Sequence, residues 1–286
     1  MPPAITASTT LCAVIGNPVG HSLSPEIHNA AFRHLGLDWV YTAFRVEDLA
    51  PAIAGVRALG IRGVSITIPH KVAALPLLDS LEETAAKIGA VNTIVNAGGR
   101  LHGINTDGAG ALRALTGAGH NPAGDSVLIL GSGGAARAIA FTLAVHAAPA
   151  RLAIAGIVPG ELAALCADIA AATPVSPVPV AMTAATLREA VAGARIIINC
   201  TPLGMHPQTE SSPLPAELLG SGQVVFDIVY NPLMTKLLKD ARARGAAVIC
   251  GIEMFLNQAC LQFEHWTGLP APAEVMREVL LKKFSA

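Results

Sequence analysis

Charge is scarce in this chain. Of 286 residues only 14% are charged, and 19 basic against 20 acidic side chains leave a net −1. Without a basic excess there is no electrostatic footprint for nucleic acid or for an anionic membrane surface. A small molecule is the expected partner. Long apolar runs are also missing, although mean hydropathy is +0.53. The most apolar region, Ala135 to Ala172, is broken by Arg137, His146, Arg151, Glu161 and Asp168. No segment reaches the ~18 uninterrupted apolar residues of a membrane-spanning helix. The opening MPPAITASTT has no charged start followed by an apolar core, so it does not read as a secretory leader. Cysteines are few: five, at 12, 166, 200, 250 and 260, with no CxxC spacing. They read as reduced, buried small hydrophobes of a cytoplasmic protein, and no metal site is expected.

What is present is apolar bulk: 52% of residues are hydrophobic, enough for a large core. Much of it is alanine, which suits helices packed closely on a sheet. The length predicts about two domains. No internal repeat or charge run appears. Apolar runs alternate with helical stretches, the pattern of βαβ units and mainly parallel sheets. In the first part, strands are predicted near 11–16, 39–46, 63–68 and 91–96, and helices near 25–35, 48–59, 70–78 and 81–89. Ser80 and Glu83 have the S-x-x-E spacing of a capping box. The turn NAGGR (Asn96 to Arg100) predicts a hairpin into LHGINTD. A helix starts near Asp107. Further strands are predicted near 126–130, 151–155, 177–182, 195–200, 224–230 and 246–250. The proline-rich TPVSPVPV (173–180) reads as a connection into an edge strand, where proline is tolerated. The chain ends in helix, and composition does not say which unit this completes.

SVLILGSGGAARAIAFTLA (Ser126 to Ala144) places G-x-G-x-x-A, with Gly131, Gly133 and Ala136, between a buried strand and an alanine-rich helix. A pyrophosphate needs a tight turn, a spot without Cβ where the backbone can be approached, and a helix N-terminus aimed at it. A tight turn with no ligand is the plain alternative. A dinucleotide fold should also end its second strand with Asp or Glu for NAD, or place Arg nearby for the 2′-phosphate of NADP. Here Ala155, Gly156 and Ile157 carry no charge; Arg151 precedes the strand, and Arg137 is the other nearby cation.

Polar groups gather at strand ends in the first half. GNPVGHSLSP gives Ser22 and Ser24, SITIPHK gives Ser65, Thr67 and Lys71, GAVNT gives Asn92, and GINTDG gives Asn105, Thr106 and Asp107. Ligands of open α/β sheets bind at the carboxyl ends of strands. Each set has a plain alternative. Ser24 before Pro25 suits a helix N-cap, Lys71 could be a solvated surface lysine, and Asn92 and Asp107 could serve turns and caps.

At these residues the sequence resembles the shikimate/quinate dehydrogenase family, over essentially the whole chain. The family's serine, lysine, asparagine and aspartate motifs appear as GNPVGHSLSP, ITIPHK, GAVNT and NTDG, and its glycine loop as GSGGAAR. INCTPLGM (198–205), FDIVYNP (226–232) and GIEMFLNQA (251–259) match later motifs in the right order. The resemblance implies an α/β fold. An N-terminal α/β substrate domain would hold 1–106 with 252–286, and a Rossmann-type doubly wound cofactor domain 107–251. The C-terminal helices would return to the first domain. It implies reversible NADP(H)-dependent reduction of 3-dehydroshikimate to shikimate, in aromatic amino acid biosynthesis, by a cytoplasmic monomer or homodimer.

Carried over residue by residue, Ser22 and Ser24 would hold the substrate carboxylate. Hydroxyl donors beside a helix N-terminus suit an anion. Thr67, Lys71, Asn92, Asp107 and Gln258 would line the substrate, with Tyr230 assisting, and Lys71 and Asp107 would be catalytic. Gly131, Ser132, Gly133, Gly134, Ala135, Thr201, Ile228, Gly251 and Met254 would face the cofactor. Glu83 also falls at a position near the cofactor in the family, with the capping box as its alternative. Three departures stand out. AGI replaces the family's Asn-Arg-Thr type grip on the 2′-phosphate, Ser65 stands where Asn is frequent, and His70 where an aromatic is common. The first leaves NAD open beside NADP. Quinate/shikimate dehydrogenase with NAD or dual cofactor use is the neighbouring reading, and a ligand-sensing homologue without turnover is a reading from another class.

Overall fold

The computed structural model describes residues 5–284. The first four residues of MPPAITASTT and the last two of the chain lie outside the described residues. The chain divides into two units, one holding the residues up to Thr106 and those from Leu256 onward, the other Asp107–Phe255.

The first unit runs β1 (Thr10–Gly16), α1 (Ser24–His34), β2 (Trp39–Arg45), α2 (Leu49–Ala58), β3 (Gly63–Ile66), β4 (Ser80–Leu81), α3 (Glu83–Ile88), β5 (Thr93–Ala97) and β6 (Arg100–Ile104). Its six strands are ordered β2-β1-β3-β5-β6-β4. The sheet is mixed: β1 is parallel to β2 and β3, and β5 is antiparallel to both β3 and β6. The NAGGR turn causes the reversal. Asn96 Oδ1 accepts from the Gly99 N–H at 2.8 Å, closing the β5–β6 hairpin. α1 buries Ile27, His28, Ala31 and Phe32, a single stripe at helical spacing. The core joins Ile15, Val64 and Ile66 of the sheet to Ile53 and Val56 of α2.

Two local expectations fail here. Residues 70–78 form turns and a single 3-10 turn, Leu75–Leu77, and not an α-helix. Pro76 lacks an N–H and disfavours the α conformation at the residue before it. The S-x-x-E spacing makes no capping box either. Ser80 is drawn into β4, which pairs with β6, and its Oγ lies 2.9 Å from His102 Nδ1. Glu82 is the N-cap of α3, without a side-chain cap, and Glu83 pairs with Lys87 at 2.7 Å.

The second unit runs from α4 (Thr106–Gly117), which starts at the division, through β7 (Ser126–Leu130), α5 (Gly134–His146), β8 (Arg151–Gly156), α6 (Pro159–Ala172), β9 (Val178–Ala181) and α7 (Ala184–Ala192). β10 (Ile196–Asn199), β11 (Val224–Asp227), α8 (Lys236–Ala243) and β12 (Ala247–Ile249) complete it. Its six strands are all parallel, in the order β12-β11-β10-β7-β8-β9. Counted from the unit's first strand, this is the doubly wound order of dinucleotide folds. The central strands are buried throughout, VLIL, IIIN and VVFD, as helices on both faces of a parallel sheet require. Pro179 lies in β9, an edge strand, where its missing donor costs little.

α9 (Gly251–Thr267) leaves the second unit and, with α10 (Ala273–Phe284), completes the first. The buried Trp266 secures it: its indole N–H donates to the Ile94 carbonyl at 3.0 Å, and Arg62 Nε donates to the Trp266 carbonyl at 3.0 Å. No helix among the described residues is long and apolar enough to cross a membrane. All five cysteines are free thiols.

Candidate active site

In the first unit, four segments meet at one edge of the sheet. The segments after β1, β3 and β6 leave carboxyl ends. Asn92 instead precedes β5, and the antiparallel pairing carries that start to the same edge. Backbone hydrogen bonds join them. Thr67 N–H donates to the Ile15 carbonyl at 3.0 Å, Asn17 N–H to Ile68 at 2.9 Å, Ile66 N–H to Asn92 at 2.7 Å, Val91 N–H to Lys71 at 2.9 Å and Asn92 N–H to Ile104 at 3.1 Å. The serine, threonine–lysine and asparagine motifs and the residues before Asp107 are therefore one construction.

Ser24 is the first residue of α1 and not its cap. Leu23 is the N-cap, no side chain caps the helix, and Pro25 lies in the first turn. Ser22 Oγ accepts from the Ser24 N–H at 3.3 Å. Thr67 and Lys71 are half-buried and Asn92 is buried. The Asn92 amide is firmly oriented. Its Oδ1 accepts from the Thr106 N–H at 2.8 Å, and its Nδ2 donates to Thr106 Oγ1 at 2.9 Å. His70 is buried, with Nε2 2.8 Å from the Val46 carbonyl; it anchors the loop that carries Lys71. Asp107 is the second residue of α4, half-buried, and Gln258 is a buried residue of α9. Glu83 is exposed.

The second unit holds the glycine loop. Gly131 has φ +107°, and a Cβ there would lie 3.3 Å from the Cys200 backbone. Only glycine takes this turn comfortably. Its N–H donates to the Ala155 carbonyl at 2.7 Å. Gly133 caps α5 with no side-chain bond, and the Cβ positions of Gly133 and Gly134 face open space. The first turn of α5 thus offers backbone N–H groups and helix-dipole charge with room for a ligand at Gly133 and Gly134. Ser132 Oγ lies against Gly156 at the end of β8, and Ala135 is half-buried in the first turn.

Thr201 and Ile228 are placed by residues that sequence reasoning did not single out. Asn199 and Asp227 end β10 and β11 and are fully buried. Asn199 Oδ1 accepts from Thr201 N at 3.0 Å and Thr201 Oγ1 at 2.7 Å. Asp227 accepts from Asn199 Nδ2 at 2.9 Å, Val229 N at 3.1 Å and Thr235 Oγ1 at 2.6 Å. Burial pushes the Asp227 carboxyl up to about 6 in spite of these donors. The signal was present in the sequence, as a polar residue closing a wholly apolar strand. Gly251 packs on the Ile228 carbonyl, where a Cβ would collide. Met254 is buried in α9, and the Tyr230 ring packs tilted against Phe255, centroids 5.3 Å apart, its phenol pushed up by burial.

The turn after β8 is apolar. Ile157 is 81% exposed and Val158 43%. Arg137 pairs with Asp168 at 2.7 Å and lies over the Phe141 ring at 4.9 Å. Arg151 opens β8, at the end away from this turn.

Residues 14–94 match the family model described as the shikimate dehydrogenase substrate binding domain, and 251–281 that of the shikimate 5′-dehydrogenase C-terminal domain. The chain is 49% identical over 284 residues to a shikimate dehydrogenase (NADP(+)) of Moorella thermoacetica, covering 99% of this chain and 96% of the relative. Shikimate 5-dehydrogenase from Listeria monocytogenes, solved with shikimate and NAD, superposes with a TM-score of 0.94 at 36% identity, covering 98% of this chain and 99% of that one. Quinate dehydrogenase from Corynebacterium glutamicum, solved with NAD, superposes with a TM-score of 0.90 at 33% identity, covering 96% and 99%.

Proposed function

The chain belongs to the shikimate dehydrogenase family, and from that premise we propose that it reduces 3-dehydroshikimate to shikimate, reversibly, with NADP(H). The reading rests on one observation above the rest. The serine, threonine–lysine and asparagine motifs and the start of α4 are stitched into a single sheet edge. The second unit fits a dinucleotide: the strand order, Gly131 and the open Gly133–Gly134 turn at the start of α5 suit a pyrophosphate. NADP(H), when bound, supplies or takes up the hydride.

This chain's own residues bind and handle the proton. Ser22 and Ser24 donate hydrogen bonds to the substrate carboxylate, a charge-assisted contact. Thr67, Asn92 and Gln258 hold the ring hydroxyls, with Tyr230 assisting. Lys71 gives a proton to the carbonyl oxygen in reduction and removes it from the hydroxyl in oxidation. Asp107 accepts a hydrogen bond from the substrate hydroxyl and so orients it for the proton transfer. Thr201, Ile228, Gly251 and Met254 line the nucleotide, and Glu83 is a further contact carried over from the family. The protein works in the cytoplasm as a monomer or homodimer.

A second reading concerns the nucleotide. With Ile157 where a phosphate-binding cation would be useful and Arg137 engaged by Asp168, discrimination against NAD is weak. Initial rates with shikimate or quinate, each paired with NADP or NAD, test both points. Shikimate is expected to be the faster substrate, with NADP preferred by less than about a thousandfold, ~4 kcal/mol. Faster turnover of quinate would overturn the substrate, and a larger NADP preference would reveal a phosphate site elsewhere.

A further inference from the structure

A buried chain of polar groups in the first unit ends at Asn92. Tyr41 Oη donates to Ser65 Oγ at 2.6 Å, and Ser65 Oγ donates to Gln262 Oε1 at 2.8 Å. Gln262 Nε2 donates to Thr93 Oγ1 at 3.0 Å and to the Asn92 carbonyl at 3.3 Å. Thr93 Oγ1 in turn donates to Asn92 Oδ1 at 2.7 Å. Every member is buried, with Gln262 only 2% exposed. Gln262 comes from α9, 170 residues along the chain from Asn92.

The direction of the chain is fixed by chemistry. A backbone N–H can only donate, so the Thr106 amide sets which end of the Asn92 side chain is oxygen. Thr93 then gives its single hydroxyl proton to that oxygen and must itself accept, which requires a donor at Gln262. On its other side Gln262 must accept from Ser65. An apolar residue supplies neither contact, and a carboxylate supplies only the second.

We propose that Gln262 is a positioning residue for this reaction: it holds the Asn92 main chain directly and the Asn92 amide through Thr93, and so sets substrate affinity without touching substrate. This rests on the reading of Asn92 as a substrate contact.

The test compares the wild type, Gln262→Leu, Gln262→Glu and Asn92→Ala, measuring KM for shikimate, KM for NADP and kcat at several pH values, with folding checked by circular dichroism. Losing neutral buried hydrogen bonds should raise the shikimate KM of Gln262→Leu about tenfold. Its KM for NADP should stay within about twofold, since that affinity depends on the other unit. Gln262→Glu carries the rescue. As a neutral acid it can accept from Ser65 and donate to Thr93; once ionised it can only accept. Its shikimate KM, relative to wild type at the same pH, should be near normal in acid and climb as the buried carboxyl ionises. A purely structural role would lower stability and shift both KM values together. Proportional rises in both KM values, or a Glu variant with no pH dependence of its own, would overturn the proposal. If Gln262→Leu does not fold, the Glu profile decides alone. A wild type without turnover would sink the functional reading, and an unchanged KM in Asn92→Ala would sink the Asn92 assignment. A raised KM in Asn92→Ala with a normal KM in Gln262→Leu would overturn this proposal alone.

Discussion

Asp227 sets burial against hydrogen bonding, and the balance can be measured. Its carboxylate receives three donors, from Asn199, Val229 and Thr235, yet desolvation wins and lifts the group from 3.8 to about 6. At 1.36 kcal/mol for each tenfold change in proton affinity, the rise from 3.8 to about 6 corresponds to ~3 kcal/mol. The sign follows from proton counting. Between pH 4 and 6 the folded state holds the Asp227 proton while the unfolded chain has released it. The group's contribution is therefore fully present below pH 4 and is lost as pH rises through about 6. Asp227→Asn cannot titrate. It keeps an oxygen for Asn199 and Val229, and its Nδ2 can donate to Thr235 Oγ1. Urea unfolding of both proteins at steps from pH 4 to pH 7 isolates the residue, because every other titrating group cancels in the difference. Circular dichroism is the right probe, since both tryptophans, Trp39 and Trp266, lie in the other unit. Relative to the variant, the wild type should lose ~3 kcal/mol across that range. A flat difference would show that the three donors fully offset burial, and one that grows in favour of the wild type with rising pH would show that they outweigh it; either overturns the reasoning.

Two further predictions follow from the first unit. Ser24→Ala should raise the KM for shikimate by roughly ten- to a hundredfold, the loss of one hydrogen bond to a charged group at ~1.5–3 kcal/mol. Because Ser24 is not a helix cap, its melting temperature should barely move; an unchanged KM would remove the carboxylate assignment. His28 is fully buried, stacked on Tyr41 at 4.6 Å, and burial lowers it from 6.5 to about 3. Here the unfolded chain takes up the proton first, so stability is full above pH 6.5 and falls as pH drops toward 3, by at most ~5 kcal/mol. His28→Phe should flatten that acid loss, and an unaltered pH profile in the variant would contradict it.

The glycine loop and the six strands of the second unit were legible because both signals are local: apolar runs of strand length, and a turn that only certain residues allow. The mixed character of the first sheet was less so. The NAGGR hairpin announced the β5–β6 reversal, but the antiparallel pairing of β5 with β3 is a long-range choice. The failures at 70–78 and at Ser80 have the same origin. Helical spacing was real, but Pro76 and the pairing of β4 with β6 overrode it. The site motifs were legible as residues and only partly as geometry. Ser22, Thr67, Lys71 and Asn92 could be named, whereas the network behind Asn92 depends on Gln262, which no local pattern links to Thr93. Asn199 and Asp227 stood at strand ends like the named residues, but their partners become apparent only when β10 and β11 lie side by side.

Lys71 carries the central claim, that this sheet edge reduces a ketone by donating a proton to its oxygen. The direct measurement is steady-state reduction of 3-dehydroshikimate by NADPH, wild type against Lys71→Ala, with His70→Ala as a control from the same loop. General acid–base groups typically contribute ~10²–10⁴-fold, so kcat should fall by that order in Lys71→Ala while KM changes little. His70→Ala removes an anchor to Val46 and should lower stability while retaining far more activity than Lys71→Ala. Near-normal kcat in Lys71→Ala, or an absence of wild-type turnover with either nicotinamide, would contradict the account.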